Sequence, residues 1–350
     1  MQGRAATTEP VDRPSKTSSP SFRAPAPPGV ARAAAELSEV LSSGSSAVLA
    51  CEHDLDGVLC AVGCVYLAHA AERDVAFAST RDIQPRIGER VIDCPLTRDE
   101  ATTAFARRVF MGYTRAVGVG VRQSESGRLD GSQATLLKRL AHACACDDPN
   151  MPQAVGSYLV MGFAMGPVSR KLISDPRVMA VDTLVRYADV ECEHARQFIR
   201  FSRLADGGFG ASFKPRANIL PFVGTYFASR MRDERFYVVD PTHRTAILHY
   251  KGDERCTSVS LDRELTGQLA SLDTLANDER YVRAMWKRFY DSMELHGRDT
   301  RGRGYDLRTS WMRKRFWEGL TELDPRSDSF GGTVPPKYSN ESHDRRKELP

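Results

Sequence analysis

The chain changes texture at Gly207-Gly208, and that change limits the folds open to it. Upstream, apolar residues recur at helical spacing over long segments. Downstream they alternate in short runs divided by turn residues, which is strand patterning. The longest helical pattern runs from Arg177 to Leu204. It sets Leu184, Tyr187, Ala188, Val190, Ala195, Phe198 and Ile199 at steps of three and four, an amphipathic stripe that needs an apolar partner. Ahead of it the spacing predicts helices over 31–41, 58–71, 101–117, 132–145 and 153–163, with strands at 47–51, 75–78 and 89–93. After it, Gly207-Gly208 is expected to break the helix, and Phe209, Ala211 and Phe213 read as one half-buried strand. Asn218 is placed to cap a helix running to Arg230. Strands are expected at 236–239 and 245–250 around the turn Asp240-Pro241-Thr242-His243, and at 256–260. Helices over 278–293 and 309–320 close the chain. The class is therefore α+β: a helix-rich N-terminal part with short strands, 30–204, and a small antiparallel sheet with flanking helices, 205–325.

Both ends fall outside that body. Six of the 19 prolines lie in the first 28 residues, and the stretch 326–350 is polar with Gly331-Gly332 and Pro335-Pro336. Neither segment buries enough apolar surface to offset its ordering entropy, so disordered tails are expected at 1–28 and 326–350. The first 28 residues carry no apolar core of a secretory signal, Glu9 and Asp12 count against a transit peptide, and no apolar run is long enough to span a membrane. The eight cysteines lie mostly within apolar runs. Reduced thiols in a cytoplasmic protein are expected.

The net charge of +4 is too small to name a polyanion partner, but its distribution is uneven. Between Arg280 and Trp317 eleven basic side chains face four acidic ones, and all three tryptophans, Trp286, Trp311 and Trp317, fall in the same stretch. Guanidinium groups displace phosphate counterions and indole rings stack on bases, so this composition suits nucleic acid. The candidate contacts are Arg298, Arg301, Arg303, Arg308, Arg313, Lys314 and Arg315, with Trp311 as a stacking ring and Trp317 as an anchor for the last helix. The competing reading is a solvated basic helix with core tryptophans.

Other constellations carry less. Cys51-Glu52-His53-Asp54-Leu55-Asp56-Gly57 follows the first strand and is similar to the metal-binding opening of DHH phosphoesterases, but no Asp-His-His occurs in the chain. Asp54 is equally placed to cap the next helix. His142, Cys144 and Cys146 lack the usual zinc spacing, and Cys60 and Cys64 lack the third cysteine of a radical-SAM cluster, so no metal or cofactor is expected. Glu191 and His194 are i, i+3 on the long helix and share a face, which suits an acid–base pair or a plain ion pair.

One resemblance gathers these residues. The runs Arg200-Phe201, Asp206-Gly207-Gly208-Phe209, Asn218-Ile219-Leu220-Pro221, Phe227-Ala228-Ser229-Arg230 and Val239-Asp240, with Tyr250, resemble a bacterial family of DNA-repair or DNA-metabolism proteins. So do Met312-Arg313-Lys314-Arg315-Phe316-Trp317 and Leu320-Thr321-Glu322, and upstream Leu55-Asp56-Gly57-Val58. Coverage is about 46–325. The family is a domain of unknown function, found beside a radical-SAM DNA-modification protein or fused ahead of a uracil-DNA-glycosylase-like domain. The resemblance implies such a partner, and it marks Asp56, Gly57, Arg200, Pro221, Arg230, Asp240, Trp317 and Glu322 as motif residues. This chain departs from the pattern at Glu191-Cys192-Glu193, where the histidine is shifted to His194, and at Tyr226, where the family has histidine. Those departures favour binding over catalysis. The expected function is to bind DNA and present it to the partner enzyme. The alternative is an enzyme acting on DNA or nucleotides through Asp56, Glu191, His194 and Asp240.

Overall fold

The computed structural model describes residues 25–81, 83–120, 129–272, 275–292 and 313–321. Most of both expected tails lies outside these residues. In the described remainder, Pro28 begins a helix rather than ending a tail, because proline is tolerated in a first turn whose N–H groups have no intrahelical acceptor. The chain separates into two compact units, 1–144 with 148–185, and 145–147 with 186–350.

The first unit is built on a three-stranded parallel sheet of order β2-β1-β3, with β1 at Ser46–Cys51, β2 at Val75–Ser79 and β3 at Glu89–Asp93. Val48 pairs in register with Ala76 on one side and Val91 on the other. Five of the six β1 residues are buried, which is why this strand reads as an unbroken apolar run instead of an alternating one. Helix α1 (Pro28–Ser42) precedes the sheet. Helix α2 (Leu55–Leu67) leaves β1 directly and is buried from Gly57 to Val65. Asp54 caps it, its carboxylate accepting from the Gly57 N–H at 2.8 Å. A Cβ at Gly57 would stand 2.6 Å from the Glu52 carbonyl oxygen, so only glycine fits where α2 leaves the strand. Helices α3 (Glu100–Ala116), α4 (Gly131–Cys144) and α5 (Met151–Met165) complete the unit with the start of α6 (Pro176–Phe198).

In the second unit the long helix stops at Phe198, six residues short of the predicted Leu204. Ser202 and Arg203 form a short strand β4 that pairs antiparallel with β5 (Phe209–Ser212), and Gly207, at φ +82°, serves the turn between them instead of breaking a helix. The sheet runs β4-β5-β6-β7-β8, with β6 at Phe236–Asp240, β7 at Thr245–His249 and β8 at Thr257–Ser260. It is mixed rather than wholly antiparallel. Helix α7 (Leu220–Arg230) carries the chain from β5 to a parallel β6, a crossover no tight hairpin can make. Asn218 does not cap α7. The N-cap is Ile219, while the Asn218 side chain accepts from Thr245 Oγ1 at 3.3 Å and its N–H reaches the Ala145 carbonyl at 2.8 Å. Pro221 occupies the first turn of that helix. Helix α8 (Arg263–Ser271) packs on β5 and β6, and α9 (Asn277–Ser292) follows. Of the predicted helix over 309–320, residues 309–312 lie outside the described residues. The rest forms a single 3-10 turn, Lys314–Gly319.

Candidate functional site

The second unit contains a cleft of 240 Å³ whose lining converges from six segments. Arg200 comes from the loop after α6, Lys214 from the loop after β5, Arg283 from α9 and Arg315 from the 3-10 turn. Ser202, Ser212 and Ser271 add hydroxyls, and among the described residues no carboxylate lines the space. The C-terminal end of a helix dipole favours cations, and Arg200 Nη1 donates to the Gln197 carbonyl at 2.6 Å, at the end of α6.

One wall is aromatic. Phe316 lies nearly parallel to Phe213, with ring centroids 4.7 Å apart and planes 9° from each other, and contacts Phe198 at 5.7 Å and His194 at 5.3 Å. Both Phe213 and Phe316 are buried. Next to it, Arg315 places its guanidinium 4.4 Å from the Phe316 centroid and binds the Glu191 carboxylate. Glu191 is only 1% exposed. Its second oxygen accepts from the Arg216 backbone N–H at 3.1 Å, and His194 Nδ1 stands 3.7 Å from the first. A carboxylate this buried is tolerable only because these partners compensate it. Burial pulls His194 below the ordinary imidazole range, Arg313 and Arg315 add to that, and Glu191 opposes it. Glu191 and His194 do meet as their spacing suggested. Their position beneath Arg315 and Phe316 makes them the socket of the 3-10 turn.

Asp240 ends β6 and is fully buried. It organises the turn that follows it, accepting from the backbone N–H groups of Thr242 at 2.8 Å and His243 at 3.3 Å. The His243 ring is held on both nitrogens: Nδ1 bonds the Asp240 carboxylate, and Nε2 stands 2.9 Å from Asp147 Oδ2. Burial pulls the imidazole pKa down, but the hydrogen bonds it donates to Asp147 and Asp240, and their charges, outweigh it, so the group is pushed up to about 9. His243 therefore carries a proton at neutral pH and joins the segment 145–147 to the turn after β6. Because the folded pKa exceeds the ordinary 6.5, this contribution to stability is complete below about pH 6.5 and is lost as pH rises through about 9. Urea unfolding is expected to show the wild type losing roughly 2 kcal/mol relative to His243→Gln between pH 6.5 and pH 10. An unchanged difference across that range would remove His243 from this role.

The remaining sequence candidates are dispersed. Asp56 belongs to the first unit, on the first turn of α2, with its carboxyl raised by burial and by Asp54. Glu191, His194 and Asp240 belong to the second. No group of three or more His, Cys, Asp or Glu among the described residues is arranged to hold a metal ion. Cys144 and Cys146 are buried and outside any disulfide, and His142 is buried at the end of α4. Of the predicted phosphate contacts, Arg298, Arg301, Arg303, Arg308 and Trp311 lie outside the described residues, as does Glu322. Arg313 and Lys314 are exposed, Arg315 is committed to Glu191, and Trp317 is half-buried. Arg230 is exposed and reaches the Tyr226 hydroxyl at 3.3 Å. Sequence reasoning singled out neither Lys214 and the cleft serines nor the Asp147–His243 bond. Arg200 and Arg315 were marked and Arg283 lies in the basic run, but no local pattern joins them to Lys214; the Asp-x-x-His spacing of Asp240 and His243 was legible.

The family model of DUF4130, a domain of unknown function, matches residues 149–322. That span contains every cleft residue, whereas the resemblance read from the sequence began at about residue 46. No curated protein matches the chain. Two solved structures of RecJ from Thermus thermophilus align with it, one in complex with Mg2+ and one with Mn2+. Each is 13% identical and covers 70% of this chain, with TM-scores of 0.27 and 0.29. The chain spans about half the length of those structures, 51% and 54%, and a likeness this low assigns neither a site nor an activity. No helix among the described residues is long and apolar enough to cross a membrane.

Proposed function

We propose that this protein acts in DNA metabolism or repair by binding nucleic acid through its second unit and presenting it to a partner enzyme. The partner is a radical-SAM protein or a uracil-DNA-glycosylase-like protein, as the sequence resemblance implies. The observation that carries the reading is the cleft, where Arg200, Lys214, Arg283 and Arg315 converge and no described carboxylate lines the space. Arginine forks match phosphate oxygens, and lysine adds a point charge. The aromatic residues of α9 support it: Trp286 and Phe289 are about half exposed, their rings 5.7 Å apart, on the helix that supplies Arg283. Exposed rings beside cations suit unstacked bases. A cytoplasmic location agrees with eight cysteines of which none is in a disulfide.

A salt titration of single-stranded DNA binding tests the reading. The slope of log K against log salt is expected to be negative, by about −0.7 for each phosphate engaged. Absence of binding at low salt, or a flat titration, overturns it.

A further inference from the structure

We infer that the cationic cleft is a site for a nucleotide phosphomonoester, the phosphate at the end of a strand or that of a free mononucleotide. The strand-end form rests on the nucleic-acid reading above. Size is the first argument. At 240 Å³ the cleft is smaller than the roughly 300–1,000 Å³ of ordinary small-molecule pockets, so it suits one nucleotide-sized group and excludes a duplex.

Charge is the second argument. A phosphomonoester carries about −1.5 to −2 at neutral pH, more than an internal phosphodiester, and presents three acceptor oxygens. Arg200, Lys214, Arg283 and Arg315 surround the space with donors, and Ser202 and Ser212 supply hydroxyls beside them. Arg315 spends part of its charge on Glu191, yet its Nε is buried and finds no hydrogen-bond partner among the described residues. A buried donor left unmade is costly, and an anion in the cleft is the partner this environment favours.

The lining is also two-sided. Phe198, Leu272 and Ala270 contribute apolar surface, a wall against which a sugar ring packs while its phosphate faces the cations. A bare inorganic anion would use only the polar half.

Fluorescence anisotropy on the full chain at low salt tests the inference. The probes are a short oligothymidylate with a 5′-phosphate, one with a 3′-phosphate, the same strand with hydroxyl ends, and a circular single strand, with dTMP as competitor. A phosphate-ended strand is expected to bind at least about tenfold more tightly than the hydroxyl-ended one, the equivalent of one charge-assisted contact. Lys214→Ala and Arg200→Ala should each bring that ratio towards one. Both side chains are at least partly exposed, and circular dichroism confirms that each variant is folded. Should Arg200→Ala unfold, Lys214→Gln carries the same comparison. Equal binding of phosphate-ended, hydroxyl-ended and circular strands overturns the inference and leaves the nucleic-acid reading in place. Direct binding of dTMP, read by titration calorimetry, with no strand bound supports the cleft assignment, names the free nucleotide as its ligand and overturns the strand reading. No binding of dTMP or of any strand overturns both.

Discussion

Arg315→Ala is expected to destabilise the second unit by about 3–5 kcal/mol, the cost of leaving a buried charge without its partner. Glu191 is 1% exposed, and Arg315 is the cation bonded to its carboxylate. After the substitution, the Arg216 N–H at 3.1 Å and the His194 ring at 3.7 Å would be its remaining polar neighbours among the contacts described. His194 is held low by burial, so it cannot readily take over the positive charge at neutral pH. Urea denaturation is the measurement. The variant that removes both charges, Glu191→Gln with Arg315→Met, should recover much of the loss, because a buried pair replaced by groups of similar volume is often near neutral. If Arg315→Ala costs less than about 1 kcal/mol, the pair behaves as an exposed one and the socket described here does not exist.

Phe316→Ala should cost a similar amount, about 3–5 kcal/mol, for a different reason. The ring is 3% exposed and sits between Phe213, Phe198 and His194. Truncation loses the transfer energy of the ring and leaves a cavity that the rigid sheet end at Phe213 cannot collapse to fill. Phe316→Leu keeps most of the volume and should cost less than half as much. Both variants are read by the urea midpoint, and Phe316→Ala should also abolish the cleft, since Phe316 and Arg315 form part of its lining. A full-strength cleft in a folded Phe316→Ala protein would show that the 3-10 turn does not build it.

These two residues also mark where sequence reading reaches its limit. Trp317 was expected to anchor the last segment and Arg315 to meet phosphate. The structure adds what neither expectation contained: a buried Phe316, and an ion pair between Arg315 and a carboxylate 124 positions earlier. The basic run itself was legible, as was its concentration near the carboxyl end. Its division into exposed Arg313 and Lys314 and committed Arg315 depends on which side of a single turn faces Glu191. Similarly, Asp240 stood out as a motif residue, but Asp147, 96 positions from His243, carries no signal until the fold brings it there.

By itself the sequence determined what local periodicity and turn chemistry dictate. The helices of the first unit fall close to their predicted spans, β1 is an unbroken apolar run because both its neighbours are parallel strands, and Asp54 caps α2. Only the tertiary structure decided that β5 and β6 run parallel, that the long helix yields at Phe198 to a hairpin through Gly207, and that four cations from separate segments share one cleft. Spacing along a chain fixes which face a residue occupies within its own element. Which distant element covers that face is settled by long-range packing and by the need to compensate buried charge.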